Sequence, residues 1–63
     1  MRLTEFWRRM EALFGEAYAR SWAADRVLAE LSGQTVREAL DAGVPPAEVW
    51  AAVVRTEEGS GQR

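Results

Sequence analysis

Residues Thr35 to Val54 read TVREALDAGVPPAEVWAAVV, and this stretch decides the fold. It opens on Thr35 with Glu38 three residues on, a hydroxyl N-cap paired with a carboxylate that can reach back to the cap amide. The spacing predicts a short helix over about Thr35–Ala42, with Val36, Ala39 and Leu40 on its buried side. Gly43 is the expected C-cap, and Val44 follows it as the apolar contact that commonly closes such an end. Pro45-Pro46 then starts another helix, because proline in the first turn loses no hydrogen bond and presets φ. Val49, Trp50, Val53 and Val54 recur at one- and four-residue steps. β-branched valines also suit a strand, but the prolines and the apolar spacing favour helix.

Ala39, Gly43 and Val49 stand at helix-turn-helix spacing. In that motif a small residue lets two helices touch, a glycine makes the turn and a later apolar residue seats the second helix. Glu38 occupies a position that is usually apolar in the motif. A helix that reads base edges needs Arg, Lys, Asn or Gln on its outer face. Here the second helix, PPAEVWAAVV, has Glu48 as its only polar side chain and Arg55 as its only nearby base. The geometry is retained and the base readout is disfavoured.

Upstream, a second helix is expected from about Glu16 to Leu31 and a turn at Ser32-Gly33. Its stripe is Ala17, Ser21, Ala24, Leu28 and Leu31, widened by Tyr18, Trp22 and Val27. Glu16 and Arg20 are an i,i+4 pair, and Arg26 stands four residues after Trp22, within reach of its ring. Asp25 lies in the apolar-leaning stretch SWAADRVLAEL and is a candidate hydrogen-bond acceptor for a helix N-terminus at Thr35 or Pro46. The first helix is expected to start with Thr4 as N-cap and Glu5 in its first turn. Leu3, Phe6, Trp7, Met10, Leu13 and Phe14 form its apolar stripe, Glu5 and Arg9 pair on the opposite face, and Gly15 supplies a left-handed C′ residue.

The expected fold is all-α, a single compact bundle of three to four short helices with a helix-turn-helix-like C-terminal half. Residues 1–55 make the domain, and TEEGSGQR, residues 56–63, reads as a flexible polar tail without an apolar residue. Sixty-three residues bury a small core, so Trp7, Trp22 and Trp50 carry much of it. All three can serve that core; alternatively, at least one of them borders an exposed patch that binds a partner.

Composition removes whole classes of chemistry. The chain has no Cys, His or Lys, and eight Arg against ten acidic residues give a net charge of −2. It therefore has no thiolate nucleophile, no imidazole, no Cys- or His-based metal site and no Schiff-base lysine. Carboxylate pairs remain, but a core this small leaves little room for the pocket that would tune them. No enzyme, cofactor, metal or small-molecule substrate is expected. Charges at Arg2, Glu5, Arg8, Arg9 and Glu11 do not fit a secretory leader, and no long uncharged window suggests a membrane span. A cytoplasmic setting is expected. Arg without Lys, Asn or Ile reads as a GC-rich genome. Arg2, Arg8, Arg9, Arg20 and Arg26 form either an anion-attracting patch or a solvated face paired with Glu5, Glu11, Glu16 and Glu30.

MRLTEFW, FGEAYA, DRVLAELSGQTVREAL and AGVPPAEVW, taken in order, resemble a family of short actinobacterial proteins, the domain of unknown function number 3046. The resemblance covers about residues 1–54. It implies a small all-helical cytoplasmic protein with no established activity, cofactor or catalytic residue. It also implies genes often adjacent to those of the recombinase and its regulator. Relatives often have His at the position of Arg26, and Cys followed by an aromatic and Val-Pro near Val54. Those residue types are absent here, which points to the shared positions being architectural.

The functional expectation is a non-catalytic protein-interaction or self-associating module. Its candidate partner-binding residues are Trp7, Trp50 and Val54, and its candidate structural polar residues are Thr4, Asp25 and Thr35. The alternative is a DNA-associated accessory protein using residues 35–54.

Overall fold

The computed structural model describes residues 1–61. Four helices carry the fold: α1 (Leu3–Phe14), α2 (Glu16–Asp25), α3 (Val36–Asp41) and α4 (Pro46–Gly61). Between α2 and α3 the chain makes a small antiparallel hairpin of β1 (Val27–Leu28) and β2 (Gln34–Thr35), with one turn of 3-10 helix at Ala29–Leu31. Val27 pairs with Thr35 and Leu28 with Gln34. The fold is therefore mostly helical, with a strand pair that the helical reading did not include.

The hairpin replaces the second half of the expected long helix. The buried face of α2 is Ala19, Trp22 and Ala23, so a continued helix would turn Arg26 and Glu30 toward the core. Arg26 instead takes an extended backbone, φ −83° and ψ 119°. The chain then doubles back through Ser32, at φ 59°, and Gly33, at φ 81°, and this route buries Leu28 and Leu31. The expected stripe was out of phase, because Ala17, Ser21 and Ala24 face solvent.

The start of α1 also differs. Arg2 is the N-cap, its carbonyl accepting the Phe6 amide at 2.9 Å, and no side chain caps the end. Thr4 lies inside the first turn and is exposed, so its expected capping role is corrected. The end of the helix is open to water, which can satisfy the first amides without a hydroxyl. Phe6 and Met10 are fully buried, Trp7 and Phe14 are half-buried, and Leu3 and Leu13 lie at the margins of the stripe.

Gly15 alone joins α1 to α2. It serves both helices, donating to the Glu11 carbonyl at 2.8 Å and accepting from the Ala19 amide at 2.9 Å. Its φ of 93° and ψ of 150° fall outside the expected left-handed helical region, in a region essentially reserved for glycine. Across this joint Phe14 stacks on Trp22, with ring centroids 4.4 Å apart.

The segment that decides the fold behaves as read. Thr35 Oγ1 accepts from the Glu38 amide at 3.1 Å, and the Thr35 amide donates to Glu38 Oε1 at 2.9 Å. At the other end of α3, Gly43 N–H donates to the Leu40 carbonyl and Val44 N–H to the Ala39 carbonyl. Those two bonds are the pair that defines a Schellman ending. Gly43 has φ 96°, and Val44 packs against the core. Pro46 opens α4, and the Pro45 carbonyl accepts from Glu48 and Val49. Ala39 and Val49 are fully buried, as the helix-turn-helix spacing predicts.

Helix α4 runs on to Gly61, into the segment from Thr56 that reads as a flexible polar tail. Once a helix is nucleated, each further residue adds a hydrogen bond, which carries it through Thr56, Glu57 and Glu58 at little cost. Thr56 and Glu57, expected within the polar tail, are therefore helical and half-buried. The end of that expected tail, residues 62–63, lies outside the described residues. The core gathers Phe6, Met10, Trp22, Leu28, Leu31, Val36, Val49 and Val53 around the small side chains Ala19, Ala23, Ala39 and Ala52.

Candidate functional site

Phe6 is the centre from which the candidate surface is built. Its ring meets Trp7 edge-on at 5.4 Å and Trp50 edge-on at 6.2 Å. A fully buried phenylalanine thus supports both indoles, one from α1 and one from α4. Trp7 and Trp50 are half-buried and packed against the core, whereas Trp22 is 5% exposed and belongs to it. The open alternative about the tryptophans resolves as one core ring and two that reach the surface. Val54 is half-buried and stands four residues after Trp50, on the same side of α4.

Each surface indole has apolar neighbours that capping and periodicity arguments did not single out as contacts. Trp50 shares a shallow depression of about 310 Å³ with Arg9, Ala12 and Leu13, and Leu13 is 47% exposed. Trp7 lies between two depressions that both include Leu3 and Arg20. Leu3 is 49% exposed. Tyr18 and Val27 are further exposed apolar side chains. The signal for Leu3 and Leu13 was present in the sequence: both sit at the edges of a stripe wider than a single helix contact can cover.

Arg20 takes a role different from the expected pairing with Glu16. Its guanidinium carbon lies 5.5 Å from the Trp7 ring centroid, within the range of a cation–π contact. The anticipated Arg26–Trp22 stack is not formed, because Trp22 is buried and stacked on Phe14 while Arg26 is exposed. Among the described residues the ion pairs are Arg9–Glu5 at 3.1 Å, as read from their spacing, and Arg55–Glu30 at 3.4 Å.

Asp25 does not cap a helix. It is exposed at the end of α2, and the amide of Thr35 is satisfied by Glu38. The capping box already gives that helix N-terminus a carboxylate of its own, Glu38. Thr35 itself is buried and caps α3 as expected. An open concavity of about 370 Å³ lies between the hairpin and α4 and includes Glu30, Gln34, Glu48 and Arg55. The Glu30–Arg55 pair links the two sides of that concavity. Among the described residues no buried side-chain nitrogen or oxygen lacks a hydrogen-bond partner, and no cluster of three metal-ligating side chains occurs. No helix among them is long and apolar enough to cross a membrane.

A family model described as a protein of unknown function, DUF3046, matches residues 1–58. The chain belongs to the DUF3046 family. The match extends past the 1–54 span expected from the quoted blocks and takes in the start of the polar segment. No curated protein and no solved structure matches the chain. What this DUF3046 member can do must therefore be argued from its own surface. That surface has two indoles braced by one core ring, exposed leucines beside them, and, on the Trp7 side, arginines that among the described residues form no ion pair.

Proposed function

We propose that this DUF3046 member is a non-catalytic protein-interaction module of the cytoplasm, with a contact surface centred on Trp7 and Trp50. The observation that carries the reading is that both indoles stay half-buried on Phe6 with exposed Leu3 and Leu13 beside them. Tryptophan braced by a rigid core is a low-entropy anchor, and such residues are enriched where binding energy concentrates. Val54 extends the Trp50 side of the surface. Catalysis has little support from a chain without Cys, His or Lys.

Site-specific photo-cross-linking in cells tests the reading. A photoreactive side chain at Leu3 or Leu13 is expected to capture a protein, while one at exposed Glu16 is not. Equal labelling from all three positions, or none, together with a strict monomer in sedimentation equilibrium, overturns it.

A DNA-associated role is the second reading, favoured by the fully buried Ala39 and Val49 at the α3–α4 turn. The outer face of α4 carries Ala47, Glu48, Ala51 and an Arg55 already paired with Glu30, a poor set for base edges. Salt-dependent binding to duplex DNA in a low-salt titration would support this reading, and its absence would end it.

A further inference from the structure

Three arginines from three different helices converge around Trp7. Arg8 comes from α1, Arg20 from α2 and Arg37 from α3. They line two neighbouring depressions, of about 330 and 270 Å³, that share Leu3, Trp7 and Arg20 in their walls and together make the arginine-lined groove of this face. The groove has an apolar floor: Trp7 and Leu40 pack against the core, and Leu3 is half exposed. Its carboxylates are Glu11 and Asp41, and among the described residues neither pairs with these arginines. Three arginines against two carboxylates leave the groove with a basic surplus, in a chain whose net charge is −2. The charge lining the groove is opposite in sign to the net charge of the whole molecule.

Arg20 is the most informative of the three. Its guanidinium lies over the Trp7 ring, and among the described residues it forms no ion pair with a carboxylate. A guanidinium held against an aromatic face keeps its in-plane N–H donors for a second partner and loses less freedom on binding it. The partner that fits planar donors is a carboxylate, taken two oxygens at a time.

We propose that the groove binds an acidic segment of a partner protein. An apolar side chain of that segment rests against Trp7 and Leu3, and its carboxylates engage Arg8, Arg20 and Arg37. The proposal rests on the interaction-module reading and names the chemistry of the partner. A nucleic acid fits less well, because its closely spaced phosphates would also face Glu11 and Asp41 and would find no extended basic stripe.

The test uses the full chain and a labelled synthetic peptide in which Glu and Asp surround a Leu-Phe pair. The control peptide carries Gln and Asn in place of the acids. Fluorescence anisotropy is expected to show the acidic peptide binding at least about tenfold more tightly at low salt. That advantage shrinks at about 0.5 M NaCl, where the screening length falls to roughly 4 Å. Arg20→Glu and Arg37→Glu are each expected to weaken binding at least about fivefold, whereas Arg26→Glu, the same charge change outside the groove, leaves it nearly unchanged. Arg20→Lys, which keeps the charge and loses the planar fork, falls between wild type and Arg20→Glu. All these side chains are exposed, and circular dichroism confirms that each variant is folded.

Equal affinity for the two peptides overturns the proposal, as does an equal loss from Arg26→Glu, which would reduce the effect to bulk charge. An oligonucleotide that displaces the acidic peptide at lower concentration reassigns the groove to nucleic acid. A dimer in sedimentation that Arg20→Glu abolishes reassigns it to a second copy of the chain. Peptide failure with cross-linking at Leu3 and Leu13 intact removes only the acidic partner. Loss of both removes the interaction module as well.

Discussion

The two helix-to-helix joints of this protein are built on opposite principles. Between α1 and α2 a single residue, Gly15, makes the joint with no side-chain cap on either side. Between α3 and α4 the chain spends Ala42, Gly43, Val44 and Pro45 on a Schellman ending and a proline start, and α3 opens on a complete capping box. The second joint is made by local hydrogen bonds among neighbours in sequence. The first is held by what packs across it, chiefly Phe14 on Trp22. A joint made locally survives the loss of one contact; a joint made by packing depends on its few large side chains.

That contrast sets the order of expected mutational effects. Trp22→Ala removes the ring that holds α1 to α2 from a nearly closed core, at an expected cost of about 3–5 kcal/mol. In a domain this small that loss abolishes the cooperative thermal transition seen by far-UV circular dichroism. Retention of a sharp transition would mean that the joint is not packing-dependent.

Next come the two glycines, compared through the same substitution. Gly15→Asn places a side chain in the glycine-only region and is expected to cost about 1–3 kcal/mol. Gly43→Asn is expected to cost at most about 1 kcal/mol, because asparagine visits the left-handed region that ends helices. A Cβ at either position meets nothing within 4 Å, so both effects are backbone effects. Urea denaturation of the two variants reads the difference, and equal midpoints would erase the distinction between the joints.

Thr35→Ala breaks the capping box from one side while leaving the Schellman ending and Pro46 in place. The expected loss is about 1 kcal/mol, visible as a modest fall in melting temperature. A larger loss would show that the buried Thr35 also matters to the strand pair. The smallest effect belongs to Arg55→Ala. The Arg55–Glu30 pair is mostly solvated, with side chains 71% and 46% exposed, and its removal is expected to cost no more than about 0.5 kcal/mol. The melting temperature should hardly move.

The same contrast explains which parts of the molecule were legible. The α3 cap, the Gly43 ending and the proline start follow from residues within a few positions of one another, so their spacing alone predicts them. The end of α2 does not. Nothing local to Asp25–Val27 forbids helix; the break follows from where the buried face of Trp22 and Ala23 would carry Arg26 and Glu30. At the surface, Trp7 and Trp50 were open to selection as candidates by residue type alone. Their shared support on Phe6, and the meeting of Arg8, Arg20 and Arg37, join residues from separate helices and have no signature in spacing.

By itself the sequence determined the mostly helical class, the locally capped α3–α4 unit, the family resemblance and the poverty of catalytic side chains. Each depends on residue chemistry or on neighbours in the chain. Only the tertiary structure decided the phase of α2, the hairpin that buries Leu28 and Leu31, and the division of the tryptophans into one core ring and two half-buried rings. It also decided that arginines scattered over three helices face one groove. The reason is physical: burial is a property of how faces meet, and a helix with small apolar residues on several sides can meet its neighbours in more than one way.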